Sequence, residues 1–170
     1  MFVDEFAITT VMTRTHARSL RGDRAVVTEP CDYGQSISVI SALSLGGVFA
    51  PMTIEGAVNS EVFDLYVEHL LAPALGAEDI VVLDNVKFHY SARAVNLIKA
   101  TGARVEYLPA YSPDFDPIEE CIAKLKTILR TLKARTQRTL SAALKYALAQ
   151  VTIEDIRGWF KHCGYTYSLN

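Results

Sequence analysis

Ile80-Val81-Val82-Leu83-Asp84-Asn85 is an apolar run that ends on an acid; Leu108-Pro109-Ala110-Tyr111-Ser112-Pro113-Asp114-Phe115-Asp116-Pro117-Ile118-Glu119-Glu120 is a proline-rich loop that ends on two more. A carboxylate at the end of a buried strand is costly unless something neutralises it. Carboxylates converging on one place point to a divalent cation. Asp84 and Glu119 are two candidates, separated by residues 85–118, and Asp4 in Phe2-Val3-Asp4-Glu5-Phe6 is a third.

Working outward, residues 1–7 read as a strand with Phe2, Asp4 and Phe6 on one face and Glu5 on the other. Residues 9–35 are polar and arginine-rich, with a short strand expected over 24–28. Residues 36–45 read as a buried strand, Gly46-Gly47 as a turn, and 48–55 as the hairpin partner. Asn59 or Ser60 caps a helix from Glu61 that carries Val62, Leu65, Tyr66, His69 and Leu70 at helical spacing, stopped by Pro73 and Gly76. The near-continuous apolar run at 79–84 suits a parallel strand buried on both faces. Ser91 caps a helix to about residue 100, a strand covers 104–108, and a long helix covers 118–133. A helix starting at Thr139 or Ser141, another over 152–160 and a tail over 164–170 complete the chain. The order implies one α/β domain with a mixed sheet, antiparallel first and parallel later.

The 170 residues carry a net charge of −2 and are 50% hydrophobic, which excludes a disordered tail. No apolar run approaches the roughly 20 residues of a membrane span, so no membrane partner is expected. The first residues lack the basic and apolar regions of a signal peptide. Cys31, Cys121 and Cys163 form no CxxC pair, so neither zinc nor a disulfide framework is indicated and a cytoplasmic setting fits. Charge is unevenly placed: Lys124, Lys126, Arg130, Lys133, Arg135 and Arg138 occur in 121–140 without an acid, and Arg14, Arg18, Arg21 and Arg24 cluster earlier. Such stripes are solvated faces or phosphate contacts.

On the 118–133 helix, Ile118, Ile122, Leu125, Leu129 and Leu132 form an apolar stripe. Glu119 lies about 100° round the helix from Ile118, on the stripe's flank, and Glu120 about 200° away, facing solvent. Asp116 suits the N-cap and Pro117 the first helical position, so Glu119 falls third. Taken singly, each acid has a plainer reading: Asp4 solvated on a frayed edge, Asp84 capping a loop, Glu119 favoured by the helix dipole. Together they can bind two divalent ions about 4 Å apart for in-line displacement at phosphorus, with Mg²⁺ or Mn²⁺ preferred to zinc. Relief of repulsion on removing one acid is expected to leave an Asp84→Asn protein as stable or slightly more so.

Val3-Asp4-Glu5, Val82-Leu83-Asp84-Asn85 with His89, and Tyr111-Ser112-Pro113-Asp114-Phe115-Asp116-Pro117-Ile118-Glu119 with Lys124-Leu125-Lys126 resemble the transposases of the Tc1/mariner superfamily, most closely the bacterial insertion-sequence branch. The resemblance covers nearly the whole chain. It implies a ribonuclease-H-like fold, a five-stranded mixed sheet flanked by helices with extra C-terminal helices, and a DDE triad of Asp4, Asp84 and Glu119. It also implies two Mg²⁺ or Mn²⁺ ions, cleavage of DNA at transposon ends, joining to target DNA at TA dinucleotides, and a bacterial, nucleoid-associated location. Lys124, Lys126, Arg130, Lys133, His89 and Arg14 are the residues expected to meet DNA; for His89, orienting the site is the alternative. Two departures stand out: Asp116 replaces the family's usual Asn, and no aromatic lies near Cys121 or Ile122. Both Asp and Asn cap helices well, which accounts for the first. The resemblance implies that residues 1–170 are the catalytic domain without the helix-turn-helix that reads transposon ends, as in a split reading frame or a relic. Specific end binding is then expected to be absent or poor, and the candidate partners are a separate chain carrying that region and a second copy in a homodimer. The competing readings are a ribonuclease-H-like nuclease without strand transfer and a transposase relic acting as a DNA-binding module.

Overall fold

The computed structural model describes residues 1–29 and 34–166. Cys31 and the last four residues of the expected tail lie outside the described residues. Five strands form one sheet: β1 (Phe2–Thr9), β2 (Ser36–Ser44), β3 (Gly47–Glu55), β4 (Ile80–Leu83) and β5 (Arg104–Tyr107). Their spatial order is β3-β2-β1-β4-β5. The pairs β1–β2 and β2–β3 are antiparallel, and β1–β4 and β4–β5 are parallel. The mixed sheet is therefore the one expected. β1 sits at its centre, where the two pairing modes meet.

Helices cover both faces, and the period of β1 decides what each face buries. Phe2, Phe6 and Ile8 point toward α3 (Pro117–Leu132), α4 (Gln137–Ala149) and α5 (Ile153–His162). There they pack with Ile118, Ile122, Leu125, Leu129, Leu140 and Phe160. Val3 points to the other face, where Val81 and Leu83 meet α1 (Ser60–Tyr66) and α2 (Ala92–Ala100) through Phe63, Tyr66 and Ile98. Asp4 shares the α3 face with its neighbours Phe2 and Phe6, as the alternation requires, and is buried there. No described helix is long and apolar enough to cross a membrane.

Four expectations need correction. Residues 24–28 form no strand: Val26 and Val27 are exposed, the sheet already ends at β3, and the segment is tied down through Glu29, which pairs with Lys133 and Arg135. The α1 region buries Phe63, Tyr66, Val67 and Leu71, while Leu65 and Leu70 are exposed. The helix widens into a π-type turn over Val67–Leu71, and the extra residue per turn shifts the inward face away from Leu70. Helix α4 begins at Gln137 because Thr136 is its cap; Thr139 completes a reciprocal capping box instead of starting the helix. Glu120 does not simply face solvent: its Oε1 lies 2.8 Å from Nδ1 of His162.

Candidate active site

The register of the parallel pair brings the first two acids together. Phe2 pairs with Val82 and Val3 with Leu83, so Asp84 stands beside Asp4, one step past the last pair. Asp84 thus lies at the carboxyl end of β4, where open α/β sheets hold their sites, while Asp4 lies near the start of the longer β1. Asp4 is only 8% exposed, and its Oδ1 accepts the Glu5 backbone N–H at 2.7 Å. Burial, with the neighbouring charge of Glu5 and further repulsion from Glu119 and Asp116, pushes its pKa up to about 8. Such a carboxyl keeps its charge at neutral pH only beside a cation.

Asp84 is held differently. Its Oδ1 accepts from Nδ1 of His89 at 2.6 Å and from the Val86 N–H at 3.1 Å. Burial alone would raise its pKa; the hydrogen bonds from His89 and Val86 outweigh that and keep it below the ordinary value. Asn85 ties the strand end to the proline-rich loop. Its Nδ2 donates to the Leu108 carbonyl at 2.5 Å, and its Oδ1 accepts from the Tyr90 hydroxyl. Tyr90 in turn stacks on Tyr107 of β5, with ring centroids 4.4 Å apart.

The loop then delivers α3. Asp116 is its N-cap, accepting the Ile118 N–H at 3.3 Å, and Pro117 opens the helix. Glu119 follows in the first turn, exposed, with no hydrogen bond or ion pair to its side chain among the described residues. Asp84, Asp116 and Glu119 line one open cleft of about 200 Å³, rimmed by Pro109, Tyr111 and Pro113. Asp116 is buried, and burial together with the charges of Glu119 and Asp84 lifts its pKa to about 7. The departure from Asn makes Asp116 an extra carboxylate beside the site as well as a cap, and it lines the cleft. Sequence reasoning passed over Tyr111. It stands fully exposed at the rim with φ +58°, a conformation that aromatic residues rarely adopt.

These donors are all carboxylate oxygens, which suit a hard divalent cation, and burial together with acidic neighbours makes a charged Asp4 costly unless a cation is beside it. Among the described residues, no three His, Cys, Asp or Glu side chains gather closely enough to hold an ion. Asp84, Asp116 and Glu119 face one space without converging in it, Asp4 lies buried beside Asp84, and the exposed side chain of Glu119 has the most room to move.

The residues expected to meet DNA divide into four groups. His89 is fully buried against Asp84, so the expectation that it contacts DNA fails and its orienting role remains. Lys124 pairs with Asp155 and Lys133 with Glu29, so both charges are already partly answered. Lys126 reaches over the Phe6 ring at 5.8 Å. Arg14 and Arg130 line a second cleft of about 290 Å³ with Thr15, His16, Thr127 and Thr131. Arg14 comes from the loop after β1 and Arg130 from the last turn of α3, so two separate basic stretches meet there.

The sequence matches the DDE superfamily endonuclease family over residues 1–141. No curated protein matches it. Among solved structures, the Mos1 strand transfer complex superposes with a TM-score of 0.72 at 20% identity over 95% of this chain and 51% of the Mos1 chain. The Mos1 mariner paired end complex with Mn gives 0.74 at 17% identity, over 95% of this chain and 52% of that one. The catalytic domain of Mos1 mariner transposase gives 0.70 at 17% identity, over 95% of this chain and 76% of the domain. This chain therefore spans about half the length of the Mos1 chains in the complexes. At these identities the likeness is one of fold: a ribonuclease-H-like mixed sheet flanked by helices. With the family match covering most of its length, the chain belongs to the DDE superfamily endonucleases.

Proposed function

We propose that this chain is the catalytic domain of a transposase, of the Tc1/mariner type and its bacterial insertion-sequence branch, acting in the cytoplasm at the nucleoid. The observation that carries the proposal is that Asp84 and Glu119 line one open cleft, with buried Asp4 beside Asp84 in the strand register, in a member of the DDE endonuclease family. The reaction would be hydrolysis of a phosphodiester at a transposon end, leaving a 3′-hydroxyl. That hydroxyl then attacks a phosphodiester of target DNA, at TA dinucleotides, and the target's own 3′-oxygen leaves.

Asp4, Asp84 and Glu119 would hold two Mg²⁺ or Mn²⁺ ions. These would lower the pKa of the attacking group and stabilise charge on the phosphoryl oxygens. The chain's own residues prepare that site. Asp84 is fixed by its two donors, and Asp4 supplies a charge that burial makes costly without a cation. Glu119, exposed and without a side-chain partner among the described residues, would close on the cleft from the start of α3. Asp116 holds that helix start and adds negative charge to the same cleft. Arg14 and Arg130 offer cations to the phosphate backbone, a sequence-independent contact. End recognition would come from a separate chain or segment carrying a helix-turn-helix, and two copies would pair the ends; the Mos1 paired-end complexes with Mn and Mg support this arrangement by analogy of fold.

The test is a strand-transfer assay with a pre-nicked transposon end, Mn²⁺ and a TA-containing target, supplied with an end-recognition domain. The expected result is a joined product that disappears in Asp84→Asn. Cleavage without joining would favour a nuclease. Metal-free DNA binding without either reaction would favour a relic acting as a binding module.

A further inference from the structure

The acid-lined cleft is served from behind by a buried ring. His89 lies in the tight turn Lys87–Tyr90, its N–H bonded to the Val86 carbonyl at 3.0 Å and its carbonyl accepting from the Tyr107 hydroxyl at 3.0 Å. Its ring packs against Phe63 at 4.6 Å and Phe88 at 4.7 Å and is 0% exposed. A polar ring in such a cage is costly unless both nitrogens find partners. Nδ1 has one in Asp84 Oδ1. Among the described residues Nε2 has no hydrogen-bond partner, and it faces Oε2 of Glu5, another buried atom without one there, at 3.6 Å.

That meeting is a product of strand alternation. Asp4 points toward α3, so Glu5 points toward the α1 and α2 side, where His89 packs on Phe63. The two orphaned atoms face each other across a short gap. An approach of roughly 0.5 Å would bring them within bonding distance.

We propose that Glu5 and His89 form a positioning relay for Asp84. His89 and the Val86 N–H saturate Oδ1 of Asp84, so the other carboxylate oxygen is the one turned to the cleft. Glu5 holds the far side of the ring and keeps it aimed. A purely packing histidine would need no acid at either nitrogen; this one has an acid at both. The inference rests on the reading of Asp84 as a metal ligand. Hydrogen-bond partners behind a ligand typically change metal affinity by about 10–100-fold when removed.

The experiment measures Mn²⁺ binding by loss of the free-ion electron paramagnetic resonance signal, in the 170-residue chain and in Asp84→Asn, His89→Phe, His89→Asn and Glu5→Gln, each checked by circular dichroism. His89→Phe keeps the aromatic packing and removes both nitrogens; its Mn²⁺ affinity should fall about 10–100-fold. His89→Asn can place an amide N–H where Nδ1 stood, and should recover most of that loss. Glu5→Gln should lie between the parent and His89→Phe. Parent-like Mn²⁺ binding by His89→Phe, or His89→Asn no better than His89→Phe, would overturn the relay. If the variants at 89 do not fold, the metal-free parent decides: a far-downfield His89 Nδ1 proton that moves in Asp84→Asn supports the relay, and its absence overturns it. A parent that binds no Mn²⁺, or an Asp84→Asn that binds like the parent, overturns the metal-site reading itself and the relay with it.

Discussion

The strand side and the helix side of the cleft hold their acids in opposite ways. Asp84, at the end of β4, has one oxygen fixed by two donors and a lowered pKa. Glu119, at the start of α3, is exposed and has no partner among the described residues. Asp4 sits between these extremes: fixed by its strand, buried, and destabilised by its acidic neighbours. A site of this kind has a rigid wall and a movable one. The rigid wall sets where a cation would bind, and the movable wall decides when the ligand set closes.

The largest effects should come from removing either wall. Asp84→Asn and Glu119→Gln should each reduce metal-dependent DNA cleavage to background, measured on a pre-nicked end. They should differ in the free protein. Glu119→Gln should leave the metal-free melting curve unchanged, since among the described residues the carboxylate makes no bond to lose. Asp84→Asn exchanges a charge-assisted acceptor for a neutral one and should lower Tm modestly. The expected gain from removing an acid, put at Asp84→Asn as none or slight, therefore moves to Asp4, where burial and acidic neighbours make the charge costly.

That shift gives a pH test. Asp4 has a folded-state pKa of about 8 against an ordinary 3.8, and Asp116 is raised to about 7. A raised folded pKa contributes stability that is full below the ordinary value and is lost as pH climbs through the folded value. Without metal, Tm should fall between pH 4 and about 8, and Asp4→Asn should flatten the fall and raise Tm at the alkaline end. A calorimetric pH series checks it; a Tm that rises steadily across this window would contradict the raised values.

How much of this was legible in the sequence depends on what each residue answers to. The sheet, its mixed pairing and the α3 start followed from period, punctuation and capping, and these are local properties of β1, β4 and the 109–117 loop. The placement of Asp4 toward α3 followed from Phe2 and Phe6 alone. The state of each acid was not legible, because it depends on partners far along the chain: Glu5 on His89, Asp116 on Asp84, Glu120 on His162. The basic stripe misled for the same reason. Lys124, Lys133 and Arg135 look free in sequence and meet Asp155 and Glu29 in space. The α1 face was misread because a π-type turn has no periodic signature to find.

The smaller effects follow from that charge pairing. With Arg14 and Arg130 as the cations facing the second cleft, DNA affinity should fall with salt at a log–log slope of about −2, shallower than six free cations would give. Arg130→Ala should make the slope shallower by about 1, read from binding at several salt concentrations. Smallest of all, Glu120→Gln removes an exposed pair with His162 and should cost under about 1 kcal/mol of stability while leaving cleavage unchanged. An inactive Glu120→Gln beside an active Glu119→Gln would reverse the assignment of the movable wall.

The most direct test is a crystal of the domain soaked in Mn²⁺ and measured for anomalous scattering. An anomalous peak bound by the carboxylates of Asp4 and Asp84, with Glu119 drawn toward it, is the result expected. A peak confined to the Asp114 and Glu120 side of α3, or none at Mn²⁺ concentrations that support cleavage, would contradict the account.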